Sequence, residues 1–498
     1  MGFLSSKDKQ TGSSPQPSLS EDQEVGFKSE SNNSYVPNIP TGQGQIEFDE
    51  LHVLCPPHTT EAKLMRKIDL RVIPFLCILY LLAFLDRVNI ANAKSFKLAT
   101  DLNLTGTEYN TALTIFFVPY VFFEIPSNIL MKRLNPNIWL STLMFLFGLV
   151  SICQGLVQNF GGLLATRFFL GLFEAEAQRR YSFFFSSTTL AGAFGGLLAS
   201  AIGKMDGVRG HSGWRWIFIL EGLLTCVVAL GFFFLIPSFP EDAKWLTPDE
   251  RAYVKARLQV DQGRSAAERK ITLKDALHVF KDYKIILGGF MYFGMVIPAY
   301  GYAFFAPGII STFGYTPIQT QLHSVPPWAC AFAFAMIIAF GSDFTRHRFA
   351  FTIAPICVAI TGFSILLTIH DNTKLQYAAL FLVAMGAYAA MPVIVCWFNM
   401  NLGGHHRRSV GTAWQVGFGN VGGIIATYAF LAKDAPEYKM GYGICLGFLC
   451  LSAASCLAYF LATLFENRQR NRRPRDLGLT EYEKTELGDL SPDYRYQL

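Results

Sequence analysis

Apolar residues in this chain come in long blocks, not in narrow amphipathic stripes. The blocks lie near residues 72–93, 109–131, 137–157, 160–177, 181–203, 214–236, 284–310, 325–341, 349–369, 376–400, 409–432 and 441–465. A helix rises about 1.5 Å per residue, so blocks of about 18 to 25 residues are long enough to cross a hydrocarbon layer of about 30 Å. The pattern predicts an all-α membrane protein with about twelve spans. The spans divide six and six around a hydrophilic stretch, 237–283, where Pro237, Pro240 and Pro248 interrupt the chain. The predicted organisation is a polar N-terminal tail (1–62), a six-helix bundle (63–236), a central loop (237–283), a second six-helix bundle (284–465) and a C-terminal tail (466–498).

Composition supports this division: 51% of the 498 residues are hydrophobic and 16% charged, with 45 Phe and 20 Tyr. The first 60 residues are rich in Ser, Gln, Asn, Pro and Glu, too polar to offset the entropy of ordering, and show no signal peptide. Both tails read as disordered. The net charge of +5 is no nucleic-acid footprint, because the basic residues sit at span ends. Lys132-Arg133, Arg179-Arg180, the 240–284 segment, Arg346, Arg348 and Arg407-Arg408 all fall in loops on one side, and the positive-inside rule makes that side cytosolic, together with both termini. The Asn103-Leu104-Thr105 sequon then lies outside, as a glycosylation candidate. Ten scattered cysteines, mostly within spans (among them Cys77, Cys153, Cys226, Cys330, Cys357 and Cys396), show no metal-ligand spacing and read as small core residues. No HExxH, GxSxG or P-loop is present, which argues against an enzyme.

Charges inside two spans change the picture from a membrane protein to one with a polar pathway. Asp86 and Arg87 lie near the end of the first span, and Arg167 and Glu174 lie in the fourth. A central Arg or Asp costs roughly 2.5 to 3.5 kcal/mol to insert, so such residues face a polar cavity and pair there. Arg87 and Arg167 stand at similar depth, roughly 9 to 10 Å from the outer ends of their helices, and residues seven apart share a helix face, so Arg167 and Glu174 are predicted to look into one cavity. An Arg grips a carboxylate with a permanently charged planar fork, and a carboxylate withdrawn from water readily takes up a proton. Static ion pairs between helices remain the competing explanation.

The run Ile68-Asp69-Leu70-Arg71 leading to Phe84-Leu85-Asp86-Arg87-Val88-Asn89-Ile90 resembles the first helix of the fungal allantoate permease group, within the anion:cation symporters of the major facilitator superfamily. Further resemblance lies in Arg167-Phe168-Phe169-Leu170-Gly171-Leu172-Phe173-Glu174, in Gly213-Trp214-Arg215-Trp216 to Glu221-Gly222, in Pro240-Glu241 to Thr247, in Gly341-Ser342-Asp343 to Arg346-His347-Arg348, and in Gly411 to Trp414-Gln415 and Gly423. It covers roughly residues 62 to 465. The departure is at Glu174-Ala175, which runs through Arg179-Arg180 straight into Tyr181, so the fourth helix reads as shortened by near half a helix.

The resemblance implies a major facilitator fold and a proton-coupled symporter of a small organic anion, nicotinate-like, allantoate-like or a related carboxylate. Arg87 and Arg167 would handle the anion, and Asp86 and Glu174 the protons. Asp343, Arg346 and Arg348 would form a cytosolic gate, without a full counterpart at Lys132-Arg133. Helix seven, with Pro298, Gly301 and Pro307 around Tyr300 and Tyr302, reads as a discontinuous helix lining the site. Asn399, Gln415 and Asn420 are candidate hydrogen-bond donors to substrate, with interhelical packing the equal alternative. No cofactor, metal or nucleic-acid partner is expected; the drive is the proton gradient, the partner is the bilayer, and the unit is a monomer in the plasma membrane of a fungus. Two other functions remain open at this point: export of a secondary metabolite, and a nutrient receptor that binds without transporting.

Overall fold

The computed structural model describes residues 45–46, 53–131, 136–174, 186–235, 243, 245–262, 278–403, 405–472, 489 and 491–498. Among them, α1 (Glu61–Ser95), α3 (Glu108–Met131), α4 (Pro136–Gly155), α5 (Phe160–Glu174), α6 (Ser186–Ile202) and α7 (Gly213–Leu235) form one half. The other half contains α9 (Tyr283–Ser311), α10 (Pro317–Thr345), α11 (Arg348–Thr368), α12 (Thr373–Met400), α13 (His405–Ala429) and α14 (Lys439–Arg472). Short α2 (Leu98–Asp101) follows α1, and α8 (Pro248–Gln262) lies between the halves in sequence. A two-residue antiparallel pair, Gln45–Ile46 with Val53–Leu54, precedes α1.

Eight helices, α1, α4, α7, α9, α10, α11, α12 and α14, are long and apolar enough to cross a membrane by length and composition. Helices α5 and α6 have 15 and 17 described residues. The junction between them, where the shortening of the fourth helix is expected, lies outside the described residues, as do Lys132-Arg133, Arg179-Arg180 and most of the N-terminal tail.

Within each half, neighbouring helices pack tightly through small residues. A Cβ on Gly171 of α5 would stand 2.0 Å from the Phe116 carbonyl oxygen of α3, so this approach requires glycine. Cβ atoms on Gly192 and Gly196 of α6 would likewise strike Trp328 and Ser324 of α10, across the two halves. The halves also meet at α1 against α9 and at α3 against α13.

Hydrogen bonds from α3 to the C-terminal half gather at the end where α1 terminates in Ser95. Asn110 donates to the carbonyls of Thr427 (2.6 Å) and Phe430 (3.2 Å), Thr114 bonds Thr427 at 2.6 Å, and Thr111 bonds Tyr428 at 3.1 Å. That end is closed by direct contact between halves.

Three expectations are corrected. Helix seven, here α9, is one continuous helix through Pro298, Gly301 and Pro307; each proline removes a single backbone bond, and packing on several sides holds the helix together, with the Tyr388 hydroxyl donating to the Ala299 carbonyl at 2.8 Å. The end of the C-terminal tail is packed, not loose: Asp489 and Tyr496 are buried, Arg407 grips Asp489 at 2.9 and 3.0 Å, Tyr496 takes a hydrogen bond from Lys284 at 2.7 Å, and Trp397 and Asn401 bind the Gln497 carbonyl. Arg407 and Lys284 at helix ends supply the charge that draws it in. Finally, Cys153, Cys330 and Cys357 are exposed on the bundle flanks, whereas Cys226 is buried; a flank facing lipid suits a small apolar thiol as well as a core does.

Candidate functional site

The site is built around Arg87, 2% exposed, on the face of α1 turned to the seam between halves. Its guanidinium forms an ion pair with Glu174 of α5 through Nη2 and donates through Nη1 to the Tyr300 hydroxyl of α9. One side chain thus joins three helices and both halves. The rings of Phe116, Tyr120 and Tyr300 surround the cation at 5.1 to 5.7 Å from their centroids, an arrangement that stabilises a desolvated guanidinium.

Helix α5 presents Leu163, Arg167, Leu170, Gly171 and Glu174 to the interior, the spacing of one helical face. Arg167 and Glu174 nonetheless serve different neighbours. Arg167 donates to the Arg87 carbonyl at 3.2 Å and, with the Gln154 amide turned so that its oxygen faces the guanidinium, to Gln154 at 3.2 and 3.3 Å. Its contacts are with α1 and α4, inside the N-terminal half.

Asp86, next to Arg87 in sequence, points the other way. It accepts from Ser151 of α4 at 3.2 Å and Thr225 of α7 at 3.1 Å. Consecutive helical residues are about 100° apart, which is why one faces the seam and the other the half-bundle. Glu221 of α7 lies in the same polar strip, accepting from Asn89, which in turn accepts from Asn92 at 3.1 Å.

Beside Arg87 the seam holds a small cavity of about 20 Å³ lined by Tyr80, Phe84, Thr188, Tyr292, Ala299, Tyr300, Tyr388 and Met391. Four of these are tyrosines, so the walls combine flat apolar faces with hydroxyls. Tyr300 lies in this lining; Tyr302 is on another face of α9, packed edge-on to Trp328 at 5.1 Å. Asn399 and Gln415 lie apart from the cavity: Asn399 bonds Val395 and Thr412, and Gln415 bonds the Gly288 carbonyl at 3.2 Å. Asn420 is buried within α13. Asp343 pairs with Arg348 at 2.6 Å across the α10–α11 turn, within the C-terminal half, and Arg346 is exposed as the left-handed cap of α10. Asn103 is exposed in the turn before α3.

Tyr80, Tyr292, Tyr388, Thr188 and Glu221 are absent from the candidate site residues of the sequence, where Glu221 stands only within a stretch that carries the resemblance. A usable signal existed for three of them, since Tyr80 precedes Arg87 by seven positions, Tyr292 precedes Tyr300 by eight, and Glu221 is a carboxylate within an apolar span.

The model of the Major Facilitator Superfamily matches residues 76–427. The chain belongs to this superfamily. Among its relatives are the MFS transporter prlL of Fungal sp. (strain NRRL 50135), 34% identical with 85% of this chain and 91% of that protein covered, and the Major facilitator-type transporter hxnP of Emericella nidulans, 32% identical with 88% and 93% covered. In fold, this superfamily member is similar to an inward-facing bacterial homolog of the human lysosomal transporter Spinster (TM-score 0.59, 15% identity, 81% of this chain and 98% of that one). It is also similar to a D-xylose-proton symporter (TM-score 0.57, 16% identity, 78% and 97%). The protein is a multi-pass membrane transporter and not an enzyme, and its substrate is a small molecule.

Proposed function

We propose that this transporter imports a small organic anion together with a proton, as members of the allantoate permease group do, with nicotinate-like, allantoate-like and related carboxylates as its substrate class. The observation that carries the proposal is the placement of Arg87, held between Glu174 of one half and Tyr300 of the other beside a tyrosine-walled cavity.

The coupling follows from competition for one guanidinium. A substrate carboxylate and the Glu174 carboxylate both seek the Arg87 fork, and two anions there would repel at low dielectric. Protonation of Glu174 cancels its hold, so anion and proton enter as a pair and the site remains neutral. Tyr300 reports occupancy of the fork to α9 through its hydroxyl. Tyr80, Tyr292 and Tyr388 supply faces for a flat or aromatic solute. Arg167, through its bond to the Arg87 carbonyl, sets the position of α1 and adds positive potential to the site. Loop charge supports a reading in which the Ser95 end lies outside and both termini lie in the cytosol, and the plasma membrane is the proposed location.

The test is uptake of radiolabelled candidate acids in a permease-deficient yeast at acid and neutral pH. Accumulation of at least one carboxylate, greater at acid pH and abolished by a protonophore, is expected. Faster loss of a preloaded acid from expressing cells, with no uptake, would replace import with export, and saturable binding without flux would replace transport of these acids with reception.

A further inference from the structure

Among the described residues, the interior of the N-terminal half holds an odd number of buried charges. Asp86, Arg87, Arg167, Glu174 and Glu221 are each 1 to 3% exposed. Three are acids and two are guanidiniums, so among the described residues the cluster carries one surplus negative charge when all five are ionised, and a single proton makes it neutral. An unpaired carboxylate out of water costs several kcal/mol, and taking up a proton is the cheaper outcome.

Geometry identifies which acid holds that proton. Glu174 is paired with Arg87. Asp86 accepts from two hydroxyls and has Arg167 as its nearby cation. Glu221 has neither: one oxygen accepts from the Asn89 amide, the other is buried with no hydrogen-bond partner among the described residues, and the charge that faces it from α1 is another acid, Asp86. From α4 the strip receives the neutral Ser151, and from α6 it receives Gly195, where a Cβ would sit 3.5 Å from the Asn92 amide. The strip leads outward. Glu221, Asn89 and Asn92 succeed one another toward the Ser95 end of α1, Asn92 lying only three residues from its last residue.

We infer that Glu221 is a proton-binding site of the transporter, separate from the Arg87–Glu174 anion site, and that it exchanges its proton with solvent at the Ser95 end of α1, the end to which the Asn89–Asn92 strip leads. The inference deepens the proton-coupled reading and rests on it for its place in the transport cycle. The proton's presence does not depend on that reading.

The experiment is infrared titration of the purified full-length protein, following the carbonyl stretch of protonated carboxyl groups. A protonated-carboxyl band at neutral pH that fades as pH is raised and is missing in Glu221→Gln is expected. An unchanged band in Glu221→Gln, or a band that stays constant over the whole pH range in which the protein is folded, overturns the inference. If Glu221→Gln does not yield monodisperse protein, Asn89→Leu serves: loss of its amide shifts that band's frequency, and an unshifted band overturns the assignment. Uptake by the parent that ignores protonophores, alongside a band lost in Glu221→Gln, would end the coupled-transport reading and leave Glu221 as a proton site.

Discussion

At the scale of single residues, neighbours in sequence take opposite tasks. Arg87 faces the seam and Asp86 the half-bundle, so these adjacent charges serve different neighbours. Arg87 depends on its fork, which reaches Glu174 and Tyr300 with different nitrogens, and a lysine ammonium presents one compact charge instead. Arg87→Lys is therefore expected to retain folding and positive charge yet lower kcat/KM for uptake by about 100-fold, near 2.7 kcal/mol of lost transition-state stabilisation. Initial-rate uptake normalised to surface protein measures it. Activity within a few-fold of the parent would show that charge alone suffices.

At the scale of elements, α8 is tied to the start of α1. Leu64 and Ile68 pack with Leu246, Tyr253 and Val254, Arg71 lies over the Trp245 ring at 5.1 Å, and Lys67 pairs with Glu250 at 2.8 Å. Burial pushes the Glu250 carboxyl up, but bonds from Lys67 and the Thr247 backbone N–H, with the charges of Lys67 and His58, outweigh it and hold the group below the usual carboxylate range. A depressed acid contributes stability that is present above its unfolded value, about 4.3, and disappears as pH falls through its folded value. Hydrogen exchange across 248–262 should accordingly be slower in the parent than in Glu250→Gln at neutral pH, with the difference vanishing on acidification below about pH 4. A difference that persists in acid would assign the effect to packing. Elements were the most legible scale in the sequence, because block length and loop charge are set by the bilayer itself. The site was legible only in part: Arg87, Glu174 and Tyr300 announce themselves as charges and aromatics beside helix-bending residues, whereas Tyr388 and Thr188 become lining only when their helices converge on the seam. The continuity of α9 was equally hidden, since prolines signal a break and only the surrounding helices show that it is withstood.

For the whole molecule, two halves meet at α1–α9, α3–α13 and α6–α10, with Asn110, Thr111 and Thr114 clasping the far end of α13. Alternating access requires that clasp to open. In a background lacking the native cysteines, oxidising Asn110→Cys with Thr427→Cys should stop uptake and reduction should restore it, while continued flux with the bridge intact would show that the Ser95 end does not part. The central claim is that solute anion and Glu174 compete for Arg87 and that a proton decides between them. The most direct measurement is transport by Glu174→Gln in proteoliposomes, comparing solute exchange with accumulation driven by a pH gradient. Exchange that continues while gradient-driven accumulation is lost is the expected result; accumulation equal to that of the parent would contradict the account.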